Sequence, residues 1–301
     1  MANMVSGNFP NAIDIVLNEI ILEKWDEVKY PYSEIFSEEE TSRKVETDIG
    51  YVPLPTFEVV AENGAYTPAE ILEGTKKQFT QVKYGIKVPM SQELFMFNQY
   101  PEILNVARSL ARAMKYTVAL QCANVFNNAF GSETTRDGSS IFNTAHTLDG
   151  GGTASNRPGT DADLAYTAFW AGITNFLGQV DDANLKINVV PELLYVTPSD
   201  LQTALEITSS AFKPGGSTNE SNVAKDRFNI RVEFDPLLTD ADAWFLLGKK
   251  GQTGFKIVWS LKDLSQTWGD NNYDQIIHKR AFIAAFGCND WRASYGTTGA
   301  S

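Results

Sequence analysis

Between Ala12 and Trp25 the apolar residues Ile13, Val16, Leu17, Ile20 and Ile21 recur at intervals of three and four, with Asp14, Asn18 and Glu23 on the other side. That spacing predicts a short amphipathic helix with one face to bury. After Tyr30 and Pro31 the pattern lapses through Ser33, Glu34 and the run Ser37 to Glu40. Pro53 and Pro55 then exclude helix and central strand, so this stretch reads as an extended arm. Val82, Tyr84, Ile86 and Val88 alternate with Gln81, Lys83, Gly85 and Lys87, a period of two that predicts a strand, and Thr56 to Ala61 is its expected β-branched partner. The connection from Glu62 through Gly74 is polar and Gly-marked. At about a dozen residues it exceeds a tight turn and is expected to project from the body.

Ser91 is placed to open a helical segment, and Pro101 suits a first helical turn. Leu104, Ala107, Ala111, Met114, Val118, Cys122, Val125 and Ala129 then follow at helical spacing up to Gly131. One helix from Pro101 to Phe130 would be about 45 Å long at 1.5 Å per residue. Residues 131–163, rich in Gly, Ser, Thr, Asn and Asp, predict a long irregular crossing and mark a domain boundary. Asp161 or Asp163 is expected to cap a helix whose Tyr166, Phe169, Trp170, Ile173, Phe176 and Leu177 form an aromatic core stripe. Leu193 to Thr197 reads as a buried strand leading into a helix through Ile207, with Thr197 as N-cap and Pro198 in the first turn. Ile230, Val232 and Phe234, then Ala243 to Leu247 and Phe255 to Trp259, read as strands, and Gln275 to Trp291 as a last strand returning to the first region. The class is α+β, with domains discontinuous in sequence.

Composition narrows the class. With 301 residues, 43% apolar and 12% aromatic, the chain has material for two packed regions, which excludes disordered, collagenous and disulfide-scaffold proteins. The net charge is −12, and residues 1–80 hold 15 carboxylates against 6 Lys or Arg. That balance argues against a phosphate-binding surface. It reads either as a solvated arm or as a surface shaped for a basic partner. Cys122 and Cys288 lie far apart and away from metal-ligand spacing, so both are expected reduced and buried. The stretch Ile13 to Leu22 is broken by Asp14, Asn18 and Glu19, so neither a leader peptide nor a membrane span is expected.

Candidate chemistry is sparse. His146 and His278 are the only histidines, and neither belongs to a metal or protease motif. No Gly-x-Ser-x-Gly occurs, and Gly150 to Gly152 lacks the Lys that a phosphate-cradling loop requires. Asp161 with Asp163, and Asp235 with Asp240 and Asp242, lack the Gly and Glu of a calcium loop and read as caps and turns. Arg280 and Arg292 read as solvated or inter-subunit charges. What stands out are the parts that reach outward, and these point to assembly.

The order of elements resembles that of a tailed-bacteriophage major capsid protein with the Hong Kong 97-type fold, most like the Mu-like major head subunit group. The likeness is carried by Phe142-Asn-Thr-Ala-His146 with Gly151-Gly-Thr-Ala-Ser-Asn156, by Leu194-Tyr-Val-Thr-Pro-Ser199, by Leu238-Thr-Asp-Ala-Asp-Ala-Trp-Phe-Leu-Leu247, and by the closing Asn289-Asp-Trp-Arg-Ala-Ser-Tyr-Gly296. It implies an N-terminal arm (1–50), an extended β-hairpin loop (51–90), a peripheral domain with a long spine helix (91–163), an axial domain (164–265) and a return to the peripheral domain (266–301). It further implies hexamers and pentamers of the chain itself, forming an icosahedral shell around packaged double-stranded DNA, assembled in the host cytoplasm with portal, scaffolding and decoration proteins as partners and no cofactor, metal or membrane. Because the arm begins almost at Met1, either scaffolding is expected from a separate protein or the residues preceding the arm are dispensable.

In that reading the subunit contacts fall on Ile13, Leu17, Ile20, Trp25 and Tyr30 of the arm and on Tyr66, Lys76 and Lys77 of the extended loop. Some members of the group carry a Lys–Asn isopeptide bond from this loop. Lys76 and Lys77 lie in the right segment, but no motif marks an Asn partner, and no crosslink is predicted. The alternatives are an encapsulin-like compartment loading a protein cargo, a hydrolase using His146 with Asp149 or Asp161, and a tail-tube or adhesin subunit, which lacks a helix at 101–130.

Overall fold

Leu72 to Ser91 runs as two strands end to end, β3 (Leu72–Thr80) and β4 (Val82–Ser91), separated only by Gln81, and the two halves pair with different neighbours. This emerges from a computed structural model that describes residues 29–69, 71–91, 93–94, 100–214, 220–270 and 273–300. β3 pairs antiparallel with β2 (Val45–Val52), from Val45↔Thr80 to Val52↔Leu72. β4 pairs antiparallel with β11 (Gln275–Cys288), from Val82↔Ala284 to Ser91↔Gln275. The expectation that Thr56 to Ala61 would be the partner of the 82–88 strand within the chain is corrected: these residues join no sheet, and the projecting stretch is 53–71, with Gly74 inside β3. Pro53 and Pro55 end β2, because a ladder strand cannot spare their missing N–H groups.

The described stretch 29–44 is likewise more ordered than its polar sequence indicates. It holds a helical turn, α1 (Tyr32–Ile35), and a strand, β1 (Ser37–Glu40), parallel to β10 (Phe255–Asp270). β1 is an edge strand whose carboxylates are matched by lysines: Glu39 sits 2.9 Å from Lys256, and Glu40 sits 2.9 Å from Lys262. Its hydrophobic anchor is the preceding pair Ile35 and Phe36, both buried.

One sheet has the order β1-β10-β11-β4. Across it lies α2 (Tyr100–Asn127), 28 residues long, ending three residues before the expected Phe130. Its Val118, Cys122, Val125 and Phe126 pack against Phe36, Phe255, Ile257 and Phe282. The Phe126 ring stacks on Phe255 at 4.6 Å. Both cysteines are free and buried. In the crossing, β5 (His146–Thr147) and β6 (Thr153–Ala154) form a short antiparallel pair. The second sheet has the order β12-β9-β7-β8, built from β7 (Leu193–Val196), β8 (Arg231–Phe234), β9 (Trp244–Leu247) and β12 (Ser294–Thr297).

Leu193, Tyr195, Phe245 and Leu247 face the α2 core, while Leu194, Val196, Trp244 and Leu246 face α3 (Tyr166–Leu177) and α4 (Leu201–Ser209). Burial on both faces explains why β7 and β9 read as unbroken apolar runs. Gly172 of α3 lets the helix close on this sheet, since a Cβ there would lie 2.9 Å from the Tyr295 ring. The C-terminal stretch thus gives one strand to each sheet, β11 to the first and β12 to the second.

The capping expectations are corrected. Ala165 occupies the α3 N-cap, with no side-chain bond, while Asp161 is held by Arg157 and Thr297, and Asp163 accepts from the Ala300 amide. Asp200, not Thr197, precedes α4, and Thr197 Oγ1 donates instead to the Ala241 carbonyl at 2.7 Å. Helix α5 (Val223–Phe228) does carry a side-chain cap, with Asn222 accepting from the Ala224 amide. No helix among the described residues is long and apolar enough to cross a membrane.

Candidate assembly surfaces

The β2–β3 hairpin is fastened to the body at its base. Asp149 Oδ2 accepts from the Thr75 amide at 2.9 Å, an approach that Gly74 permits, because a Cβ at 74 would collide with that carboxylate. Lys77 Nζ lies 3.3 Å from Glu133 and donates to the Thr134 carbonyl. Asp48 is 2.8 Å from Lys256 and also accepts from Asn289. Burial pulls the Lys256 ammonium down, but its bonds to Asp48 and Glu39 outweigh this and raise its pKa. Beyond these fastenings the chain leaves the body.

From 53 to 71 it presents apolar side chains to solvent: Phe57 is 106% exposed, Val59 102% and Tyr66 85%. The tip folds on itself, with the Gly64 amide on the Ala61 carbonyl, Asn63 at φ 61° and Thr67 donating to Glu58. Apolar surface displayed on so anchored a limb marks an interaction surface. Residues 45–75 hold six carboxylates and no Lys or Arg, whereas 76–115 hold seven Lys or Arg against two carboxylates.

Of the residues singled out for subunit contact, Ile13, Leu17, Ile20 and Trp25 lie outside the described residues. Tyr30 is half-buried and stacks on Tyr32. Tyr66 is on the exposed limb, Lys76 is exposed on β3, and Lys77 is turned inward onto Glu133.

The crossing 131–163 is organised by a buried polar cluster that motif reasoning did not find. His146, fully buried, has Nδ1 at 2.8 Å from Asp137 and Nε2 at 3.0 Å from Asn156 Oδ1. Asn156 Nδ2 donates to the Ile141 carbonyl at 2.8 Å and reaches the Trp291 carbonyl. Burial pushes the Asp137 carboxyl up, but hydrogen bonds from His146, Thr135 and the Ser139 amide prevail and hold its pKa at about 2. Beside it, Arg136 and Arg292 share Asp182 and Asp290 at 2.7–3.1 Å. Only the density of Asp and Asn in 131–163 signals this in sequence.

A hydrolytic pairing of His146 with Asp149 or Asp161 does not form: Asp149 is bound to Thr75 and Asp161 to Arg157. Asp235 accepts from the Tyr195 hydroxyl, and Asp240 from the Asp242 amide, as turn residues do. His278 is buried on β11, its Nδ1 2.8 Å from Thr267. Among the described residues no group of His, Cys, Asp and Glu is arranged to hold a metal ion.

Comparison with known proteins agrees with this picture of a scaffold with reaching limbs. No curated protein sequence matches the chain significantly. Solved structures do. A chain from Mycobacterium phage Adephagia superposes with a TM-score of 0.56 at 11% identity, over 94% of this chain and 90% of that one. The capsid of cyanophage P-SCSP1u gives 0.56 at 12% identity, over 88% and 86%. The virus-like particle from Pyrococcus furiosus gives 0.53 at 8% identity, over 93% and 97%. At such identities the likeness shows the fold, that of Hong Kong 97-type shells. It does not reach the Mu-like subgroup. The sequence itself matches a family model described as phage capsid protein over residues 74–296, from the middle of β3 to β12. A match over most of the chain, on this fold, makes the protein a member of the phage capsid protein family and a shell subunit.

Proposed function

We propose that the chain is the major head protein of a tailed phage, closing into hexamers and pentamers of an icosahedral shell that encloses double-stranded DNA. The observation carrying this reading is the limb 53–71, whose Phe57, Val59 and Tyr66 stand exposed among the described residues while its base is bolted to three separate parts of the body. A surface so displayed is buried when copies meet, and many modest contacts per subunit sum to a stable closed lattice.

The domain reading that accompanies it takes 1–50 as arm, 51–90 as extended loop, 91–163 as peripheral domain with α2 as spine, 164–265 as axial domain and 266–301 as the return. Portal, scaffolding and decoration proteins are its expected partners, and the host cytoplasm its place of assembly. The role is geometric and not catalytic, a reading supported by the structural use of His146 and the aspartates. The overall acidity suits a container, which gains by not adhering to its contents.

Electron microscopy of the purified full chain tests the proposal. Shells, tubes or capsomers are expected, and a strict monomer at high concentration would overturn it. Particles from infected cells that carry a protein cargo and no DNA would favour a nanocompartment instead.

A further inference from the structure

Two structural halves lie unmatched among the described residues. β4 is the edge of its sheet, paired only with β11, and among the described residues its outer side is open. Tyr84, Ile86 and Val88 point to the α2 side, while Lys83 and Lys87 alternate onto the other face, both exposed. Beside this edge runs a groove of about 430 Å³, floored by Tyr84, Ile86, Leu110, Met114 and Phe282. Its one buried cation, Arg280, is already engaged by Asp263. The complementary half is Thr56–Val60, a β-branched stretch in no sheet, whose Phe57 and Val59 are fully exposed with Glu58 between them.

We infer that residues 56–60 of a second copy add as a strand to the free edge of β4, seating Phe57 and Val59 in the groove and Glu58 beside Lys83 and Lys87. The inference rests on the shell reading and names where one subunit grips the next. Edge strands recruit partners through unpaired backbone groups, and alternate side chains supply the selectivity. Here the periods match: apolar residues at 57 and 59 meet the apolar face of β4, and the carboxylate at 58 meets its lysine face. Lysines on an edge discourage pairing with arbitrary strands and favour an acidic one. Other hollows fit less well: one is lined by Glu39, Glu46 and Asp48, and another by Gln121, Asn124 and Asn128.

The test uses assembled particles of the full chain, formed from a mixture of isotope-labelled and unlabelled subunits, with Phe57→p-benzoylphenylalanine as photoprobe and Ile86→p-benzoylphenylalanine as the reciprocal. Adducts joining 56–60 of one isotopic form to 82–88 or 110–117 of the other are expected. Adducts within a single chain, adducts to residues 12–25 in the groove, or none from either probe would overturn the inference. The unmodified chain is imaged in parallel: normal shells with adducts elsewhere sink this inference alone, whereas absence of shells sinks the reading beneath it. Independently, Glu58→Lys should lower shell yield about tenfold, and adding Lys83→Glu with Lys87→Glu should restore it. Failure of that rescue counts against the pairing.

Discussion

His146 lies flat on Trp291, ring centroids 4.5 Å apart and planes within 10°. The Arg292 guanidinium also sits 4.7 Å from the Trp291 ring centre. This stack joins the crossing to the C-terminal segment, and its polar rim is satisfied by Asp137, Asn156 and the Arg136–Arg292 network. Replacing His146 by Ala leaves Asp137 and Asn156 buried with missing partners. We expect His146→Ala to cost about 3 kcal/mol of subunit stability in denaturant unfolding. Unchanged stability would show the cluster to be incidental.

Acid acts on the same cluster. Asp137 has a folded pKa of about 2 against about 3.9 for an unperturbed Asp. Its contribution is therefore fully present above about pH 4 and is lost as pH falls through 2, because the unfolded chain takes up the proton first. The difference amounts to about 2–3 kcal/mol. Melting temperatures of the wild type and Asp137→Asn between pH 5 and pH 2 should converge as the pH drops. A constant gap would rule out this carboxylate as the source.

Phe126 is where the two sheets share a core, its ring within 5.0 Å of Tyr195, Phe245 and Phe255. Phe126→Ala should cost about 3–5 kcal/mol, since rings on both sides lose a neighbour and the site cannot collapse. Calorimetry of the variant should show one transition at lower temperature. Two separated transitions would mean that the sheets unfold independently.

Removing residues 54–70 and joining the ends with a short Gly-Ser turn should leave melting within about 3 °C of wild type, because the fastenings at Thr75, Lys77 and Asp48 stay intact. Shell formation should nevertheless fail. Normal shells from the shortened chain would remove the limb from the assembly mechanism.

Much of this architecture is written in local periodicity. The helix with Leu104, Ala107, Ala111 and Met114 at its intervals, and the doubly buried runs Leu193–Val196 and Trp244–Leu247, are legible because each buries a face that its own spacing defines. Pairing is less legible. Thr56–Ala61 has the composition of a strand, yet β11 takes the place beside β4, since strand choice is decided by which backbone the fold brings near. The arm strand Ser37–Glu40 is hidden because its ladder partner β10, and the Lys256 and Lys262 that match its carboxylates, lie more than 200 residues away. The His146 cluster is hidden for a similar reason: its partners Asp137, Asn156 and Trp291 belong to no motif and meet only through the crossing. The reaching limb is legible only in part: the polar, Gly-marked sequence after Glu62 reads as projecting, whereas Thr56–Ala61 reads as a strand and yet stands exposed on the same limb, and Gly74 lies inside β3.

The partner exchange at Gln81 has a mechanical consequence. Any pull that a neighbour exerts on the limb enters β3, passes through one residue and continues along the axis of β4. There it loads the β4–β11 ladder from Val82↔Ala284 to Ser91↔Gln275 in shear. A ladder sheared lengthwise must break its hydrogen bonds together, while one peeled from an end loses them singly. Tension on the limb is thus carried into the strand pair lying under the long helix, where the bonds of the ladder share the load.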